Sequence, residues 1–226
     1  MSQSSNTTIS QIHAMLSLQD SMNKKVHAHW IAQNFEWYRA AWIECGELMD
    51  HLGYKWWKQQ ICDEEQVRLE VVDIWHFALS SYFTESSTLD ELTDAISAQI
   101  SSAADLERLN FTATNWSDAQ RAAIKQATEA LAQASLAQGI VPVEPFLGLL
   151  HAVGMDLQAL YVAYVGKNVL NFFRQDNGYK TGEYKKLWQG REDNEHLSEL
   201  VGELDSHSDS FRDDLYSALE RRYATA

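Results

Sequence analysis

The spacing of apolar and polar positions along this chain predicts helices almost throughout. Apolar residues at Ile9, Ile12, Leu16 and Met22 recur with the period of an amphipathic helix that begins the fold. Only ten glycines and two prolines occur in 226 residues, and long stretches contain neither. Chains built from turns and short strands need more of both residues, so the pattern favours an all-α protein.

Two strongly apolar segments each carry a pair of acidic residues spaced three apart. In the segment 40–49 the only charged residues are Glu44 and Glu47, and in the segment 69–79 the only polar residues are Glu70, Asp73 and His76. Positions three apart share one face of an α-helix, so each helix presents a narrow acidic strip. A helix face that simply meets solvent would carry more polar residues than this.

Carboxylates in such apolar surroundings must be paired, hydrogen-bonded or bound to a cation. We expect the helix at about 34–53 and the helix that begins near residue 65 to be antiparallel neighbours with their acidic strips facing each other. Four converging carboxylates suit a hard divalent ion, and Mg²⁺ is the usual one where phosphates also bind. The residue pattern therefore predicts a magnesium site.

The distribution of charge favours a small anionic ligand over a nucleic-acid polymer. The net charge of -14 argues against a broad nucleic-acid-binding surface, yet six of the eighteen Lys and Arg residues fall between 167 and 191. Lys167, Asn171 and Arg174 share a helix face there, and Tyr179 and Lys180 follow at the helix end. Such a group can bind phosphate oxygens. The alternative is a solvated basic face that pairs with the acidic surface.

Two further groups of residues could contact a nucleobase. Gln19 and Asn23 lie four apart on the first helix, and side-chain amides offer the donor and acceptor that a pyrimidine edge requires. Ordinary surface amides would look the same. Trp56 and Trp57 are adjacent and flanked by lysines, so one could stack on a base, or both could pack at an interface.

The remaining segments suggest how the chain is organised. Residues 84–140 are rich in Ser, Thr, Ala and Gln, and we expect either a helical insertion that acts as a lid or a plain helical hairpin. The prolines at 142 and 145 mark a boundary, and the segment 144–177 reads as one strongly apolar helix that Gly178 ends. We thus expect a discontinuous core formed by 9–83 and 141–197, followed by a C-terminal helical segment at 198–226.

Apolar runs and cysteines bear on where the protein resides. No run of eighteen apolar residues occurs, and the first ten residues lack the basic region and apolar core of a signal peptide. Two cysteines, Cys45 and Cys62, are too few for a disulfide framework. We therefore expect a cytoplasmic protein with no membrane partner.

Several local motifs together carry a family resemblance. The wider motif is ExxE followed by ExxD, formed by the four acidic residues of the two apolar helices. More specific are LQDSMN at 18–23, GYKWWK at 53–58, DIWHF at 73–77, GKNVLNFFRQDNGYKTGEYKKLW at 166–188 and REDN at 191–194. In these motifs the chain resembles the all-α dimeric dUTPases, relatives of the MazG-type nucleoside triphosphate pyrophosphatases, and the motifs cover 16–83 and 145–197.

The resemblance implies a homodimeric helical-bundle enzyme that hydrolyses dUTP, and also dUDP, to dUMP with Mg²⁺. It implies in-line attack on phosphorus by a water that the metal activates, with Glu44 or Glu47 accepting the proton. It assigns Glu44, Glu47, Glu70 and Asp73 to Mg²⁺; Lys167, Arg174, Tyr179 and Lys180 to phosphate; Gln19 and Asn23 to uracil; Trp57 to the base; His76 and Asn171 to deoxyribose; and Phe77 to the exclusion of ribose.

Three alternatives are compatible with parts of this pattern. A broad-specificity house-cleaning pyrophosphatase would keep the metal site without a uracil pocket. A di-iron carboxylate bundle needs a Glu-x-x-His motif from each of two helices, and Glu44 and Glu47 supply no histidine. A binding or structural helical protein would use the acidic strips as an interface.

Overall fold

The computed structural model describes residues 3–102, 115–206, 208 and 210–224. Within these residues it contains nine α-helices, one 3-10 turn at Ile31–Gln33 and one two-stranded hairpin. The all-α fold expected from the sequence is therefore confirmed. The helices are α1 (Gln3–Val26), α2 (Trp37–His51), α3 (Glu64–Ser81), α4 (Leu89–Ser102), α5 (Asp118–Gln138), α6 (Val143–Ala152), α7 (Leu157–Asp176), α8 (Asp193–Glu203) and α9 (Phe211–Tyr223).

The backbone divides into two compact units, Met1–Leu160 and Tyr161–Ala226. The first unit contains α1 to α6 and the first turn of α7. The second contains the rest of α7, the hairpin, α8 and α9. Each unit has its own buried apolar residues, so each is described separately.

Helix α3 is the central helix of the first unit because its sequence is apolar on almost every side. It packs against α1, α2 and α6. Asp63 begins the helix by accepting a hydrogen bond from the Gln66 backbone N–H, which satisfies one of its first-turn donors. Trp75 is fully buried and stacks on Phe146 of α6, with ring centroids 4.4 Å apart. Any polar side chain of α3 that faces inward is therefore held in a rigid, apolar setting.

Helices α2 and α3 pack extensively and run antiparallel, as expected. Glu44, in the middle of α2, lies near Asp73, whereas His51 at the end of α2 lies near Glu70 and accepts a backbone hydrogen bond from Asp63. Helix α2 ends before Gly53, whose positive φ of 75° a residue without a Cβ adopts readily. This pairing places the two acidic strips side by side.

The helices of the predicted insertion pack within the first unit. Helix α4 contacts α1 and α6, and α5 contacts α2 and α6. A capping box at Ser117 and Gln120 starts α5, and Gly139 ends it in a left-handed conformation. Residues 103–114 of the insertion lie outside the described residues. The domain boundaries at 84, 140 and 198, and a lid role for 84–140, stay predictions.

The expectation of one long helix over 144–177 is wrong. The chain forms two helices, α6 and α7, because Gly154 adopts a positive φ of 74° in the turn between them. Asp156 then accepts a hydrogen bond from the Ala159 backbone N–H and starts α7. None of the described helices is by itself long and apolar enough to span a membrane; only α6 and α7 taken together, as a bent pair, reach that length and composition.

The second unit is organised around Phe173 of α7. Four aromatic rings surround it with centroids 5.3–6.3 Å away: Tyr184, Trp188, Tyr216 and Tyr223. Trp188 lies on a hairpin that the sequence reading missed, in which β1 (Leu187–Trp188) pairs with β2 (Arg191–Glu192). Gln189 and Gly190 form its two-residue turn, both with positive φ. The hairpin and α9 thereby cover the apolar face of α7.

Candidate active site

Three carboxylates from α2 and α3 converge in the first unit. One ligand oxygen from each of Glu44, Glu47 and Glu70 lies within 4.8 Å of the others. Glu70 is buried, Glu44 is half-buried and Glu47 is exposed, so the cluster runs from the interior to the surface. Asp73 is outside this set of three, but its charge acts on Glu44. The arrangement could hold a metal ion.

The electrostatics of the cluster favour a cation. The pKa of Glu44 is raised to about 8, first by burial and then, in decreasing order, by the charge of Asp73, a hydrogen bond with Glu70, and the charges of Glu70 and Glu47. Without a cation, Glu44 therefore keeps a proton that it shares with Glu70 near neutral pH. An all-oxygen donor set with this much repulsion fits a hard divalent ion, which would take the place of that proton.

The structure adds His51 to the cluster. Its Nε2 lies 3.4 Å from Glu70 Oε1, and Glu70 is nearly inaccessible to solvent. His51 also borders an open groove of about 380 Å³ that reaches Glu47 and Lys55. Its position four residues after Glu47, hence on the same face of α2, is a signal that the sequence analysis could have used.

A second polar cluster joins α1 to α3 and contains Gln19, Asn23 and His76. Gln19 Nε2 donates to Asn23 Oδ1 at 3.1 Å and to Ser80 Oγ at 2.9 Å. Asn23 Nδ2 donates to the same Ser80 Oγ at 2.9 Å, and His76 Nδ1 lies 2.8 Å from Gln19 Oε1. All four side chains are buried. The structure thus brings together the three predicted nucleoside-binding residues of this region, and Ser80, which the sequence analysis missed.

Two groups of aromatic residues in the first unit differ in how they pack. Phe77 stacks on Trp37 with ring centroids 6.1 Å apart, and Trp37 in turn contacts Trp30. Trp56 and Trp57 are 89% and 60% exposed, so neither packs into the core of this chain. Both adjacent indoles are therefore accessible to a base or to a partner.

The basic group predicted to bind phosphate lies in the second unit, and its residues differ in their surroundings. Tyr179 and Lys180 are exposed, whereas Lys167 is buried with its Nζ 3.4 Å from Asn194 Oδ1. Arg174 donates to both carboxylate oxygens of Asp193, each at 2.8 Å. A salt bridge of this kind orients the guanidinium and leaves its remaining N–H groups for other acceptors.

Asp193 is the second residue that the sequence analysis missed. It is fully buried and also accepts a hydrogen bond from Tyr184 Oη at 2.8 Å. Burial alone would raise its pKa, but the hydrogen bonds and charge of Arg174 outweigh burial and lower the pKa below its usual value. Arg174 Nη1 also donates to Asn171 Oδ1 at 3.2 Å, so three of the motif residues form one network.

Comparison with known protein families identifies a match. A family model described as dUTPase matches residues 11–179, about three quarters of the chain. The matched range contains every site residue predicted from the sequence except Lys180, the next residue after its end. None of the curated proteins matches this chain.

Proposed function

We propose that this chain, which belongs to the dUTPase family and is a dUTP diphosphatase, uses Mg²⁺ and hydrolyses dUDP as well as dUTP to dUMP. The observation that carries the proposal is the cluster of Glu44, Glu47 and Glu70, in which the pKa of Glu44 is raised to about 8. Repelling carboxylates held together on two rigid helices are stabilised by a divalent cation.

Glu44, Glu47, Glu70 and Asp73 are the residues that would hold the metal. When bound, Mg²⁺ supplies charge neutralisation at the phosphates and lowers the pKa of an attacking water. The protein contributes orientation, because Glu70 is buried on α3 and contacts His51 at 3.4 Å. One of Glu44 and Glu47 accepts the proton of the water that attacks phosphorus in line.

The phosphate-binding role falls to Lys167, Arg174, Tyr179 and Lys180. Arg174 supports this role because Asp193 holds its guanidinium in one orientation, as a residue that positions phosphate oxygens requires. Asn171 is bonded to the same guanidinium and would contact the deoxyribose.

The nucleoside-binding role falls to residues of the first unit. Gln19 and Asn23 would read the uracil edge, and their buried hydrogen-bond network supports a fixed orientation of both amides. His76 would lie near the deoxyribose, Phe77 would exclude ribose, and the exposed Trp57 would stack on the base.

The proposed enzyme is a homodimer. Trp42 and Ile43 are 46% and 53% exposed on α2, directly before Glu44, and Trp56 is almost fully exposed in the segment after α2. Large apolar side chains on one helix and its following segment are typical of a face that another protein surface covers.

A nucleotide panel tests this proposal. Rates with dUTP, dUDP, dCTP, dTTP and UTP are measured with Mg²⁺ and with EDTA, for the wild type and for Glu47→Ala. We expect Mg²⁺-dependent release of dUMP from dUTP and dUDP, and near-total loss of activity in Glu47→Ala with the far-UV circular dichroism unchanged. Equal rates for all four triphosphates would instead identify a broad-specificity pyrophosphatase, and full activity in EDTA would contradict the metal site.

A further inference from the structure

We propose that Ser80 is a positioning residue that makes the base-reading site specific for uracil over cytosine, by selecting one of two possible orientations of the Gln19 and Asn23 amides. The inference rests on the proposed uracil-reading role of these amides. Ser80 is 1% exposed, so its hydroxyl cannot contact a bound nucleotide directly. It acts only through the side chains that it contacts.

The hydroxyl of Ser80 presents lone pairs to both amides. Its single proton is donated to the His76 backbone carbonyl, 2.9 Å away and one helical turn earlier. Gln19 Nε2 and Asn23 Nδ2 both lie 2.9 Å from the Ser80 Oγ. Because the proton is already bound, each amide must turn its NH₂ group, and not its carbonyl oxygen, toward Ser80.

Without Ser80 the network would have two consistent states. In the observed state Gln19 Nε2 donates to Asn23 Oδ1, and Gln19 Oε1 accepts from His76 Nδ1, which must carry the proton. If both amides rotate by 180°, Asn23 donates to Gln19, and Gln19 donates to His76 Nδ1 in the other neutral tautomer. Every hydrogen bond among these three side chains is then kept with its direction reversed.

The Ser80 hydroxyl distinguishes the two states. In the reversed state two carbonyl oxygens would face the Ser80 Oγ, which has one proton for both, so at least one pair of oxygens would repel. Two buried oxygens in contact with no proton between them are costly in an apolar interior, and here Gln19, Asn23 and His76 are buried on two packed helices. The hydroxyl therefore holds the amides in the observed state.

The orientation of Asn23 decides which base it can pair with. In the observed state Asn23 keeps one N–H and one Oδ1 lone pair that the network does not use. Uracil offers an adjacent acceptor and donor, O4 and N3–H, whereas cytosine offers the reverse, the N4 amino group and the N3 lone pair. An amide that can rotate serves either base, and an amide that is fixed serves one.

The test compares kcat/KM for dUTP and dCTP in four proteins: the wild type, Ser80→Ala, Ser80→Thr and Ser81→Ala. Thr keeps a hydroxyl that can donate to the carbonyl one turn earlier. Ser81 is the matched control, since it lies on the same helix and its hydroxyl bonds only to backbone groups. The ratio of kcat/KM values is independent of the fraction of folded enzyme, so partial misfolding of a variant does not affect it.

We expect Ser80→Ala to raise the dCTP to dUTP ratio of kcat/KM by roughly tenfold or more. Ser80→Thr should stay close to the wild type, and Ser81→Ala should match it. In the wild type, ¹⁵N NMR of the imidazoles should show His76 as the Nδ1–H tautomer, and in Ser80→Ala the Nε2–H tautomer should become populated.

Asn23→Ala separates failure of this inference from failure of the proposed function. If Asn23→Ala relaxes the discrimination against dCTP but Ser80→Ala does not, Ser80 has no positioning role. If neither variant changes the ratio, Asn23 does not read the base. The proposed uracil-reading role of Asn23 is then wrong, and so is the role of Ser80 that depends on it. An Nε2–H tautomer of His76 in the wild type would also overturn it.

Discussion

Replacing Glu44 by Gln should stabilise the metal-free protein at alkaline pH while abolishing catalysis. Glu44 has a pKa of about 8 in the folded protein against an ordinary value of 4.5, chiefly because of burial and then because of Asp73. Gln is neutral at every pH, has nearly the same shape, and can donate the hydrogen bond that protonated Glu44 gives to Glu70.

The magnitude follows from the linkage between ionisation and folding. A pKa raised from 4.5 to about 8 corresponds to a loss of about 5 kcal/mol in the free energy of unfolding when Glu44 is ionised. Because this side chain is only half-buried, solvent screening reduces that loss to about 2 kcal/mol. Because the folded pKa lies above the unfolded one, the unfolded state binds fewer protons. The contribution of Glu44 to stability is therefore present below pH 4.5 and is lost as the pH rises toward 8.

The assay is the melting temperature in EDTA between pH 5 and 9. The melting temperature of Glu44→Gln should be close to that of the wild type at pH 5 and about 4–8 °C higher at pH 9. Glu129→Gln, an exposed residue on α5, controls for the change in net charge. A difference that does not change with pH, or a variant that is less stable than wild type at pH 9, would refute the reasoning.

Three further predictions concern residues around the two proposed sites. His51→Ala should raise the Mg²⁺ concentration needed for half-maximal dUTP hydrolysis by roughly 10–100-fold, because His51 orients Glu70, and an unchanged Mg²⁺ dependence would contradict this. Asp193→Asn should destabilise the protein by about 3 kcal/mol in urea unfolding and raise KM for dUTP, because Arg174 loses a buried charged partner; a normal KM would show that this salt bridge is structural only. Gly178→Ala should lower the melting temperature by about 2–6 °C, since φ is +84° and the new Cβ would lie 2.8 Å from a carboxylate oxygen, and an unaltered melt would show that the turn can relax.

The sequence predicts those parts of the fold and the candidate site that depend on local spacing. Glu44 and Glu47 are recognisable because an apolar helix gives acidic residues few other roles, and the pairing of α2 with α3 follows from the same strips. The turn at Gly154 is harder to predict, because glycine is tolerated within helices and the residues on both sides are equally apolar. The helix break depends on how α6 packs, which spacing along the chain does not record.

The residues that contact and orient the candidate site residues cannot be identified from the sequence alone. A serine in an apolar helix is common, so Ser80 is recognised only when the amides of another helix lie against it. Asp193 belongs to a recognisable motif, but its role depends on the contact with Arg174, nineteen residues earlier. Local spacing predicts candidate ligand-binding residues, whereas the residues that would orient them depend on tertiary contacts.

Metal binding by the carboxylate cluster is the central claim, and direct titration tests it most directly. Chelator-treated wild type and Glu70→Gln are titrated with Mn²⁺ in place of Mg²⁺, and bound ion is followed by electron paramagnetic resonance, with a non-hydrolysable dUTP analogue present. We expect saturable binding in the wild type that Glu70→Gln loses while its far-UV circular dichroism is retained. Equal Mn²⁺ binding by both proteins would contradict the account.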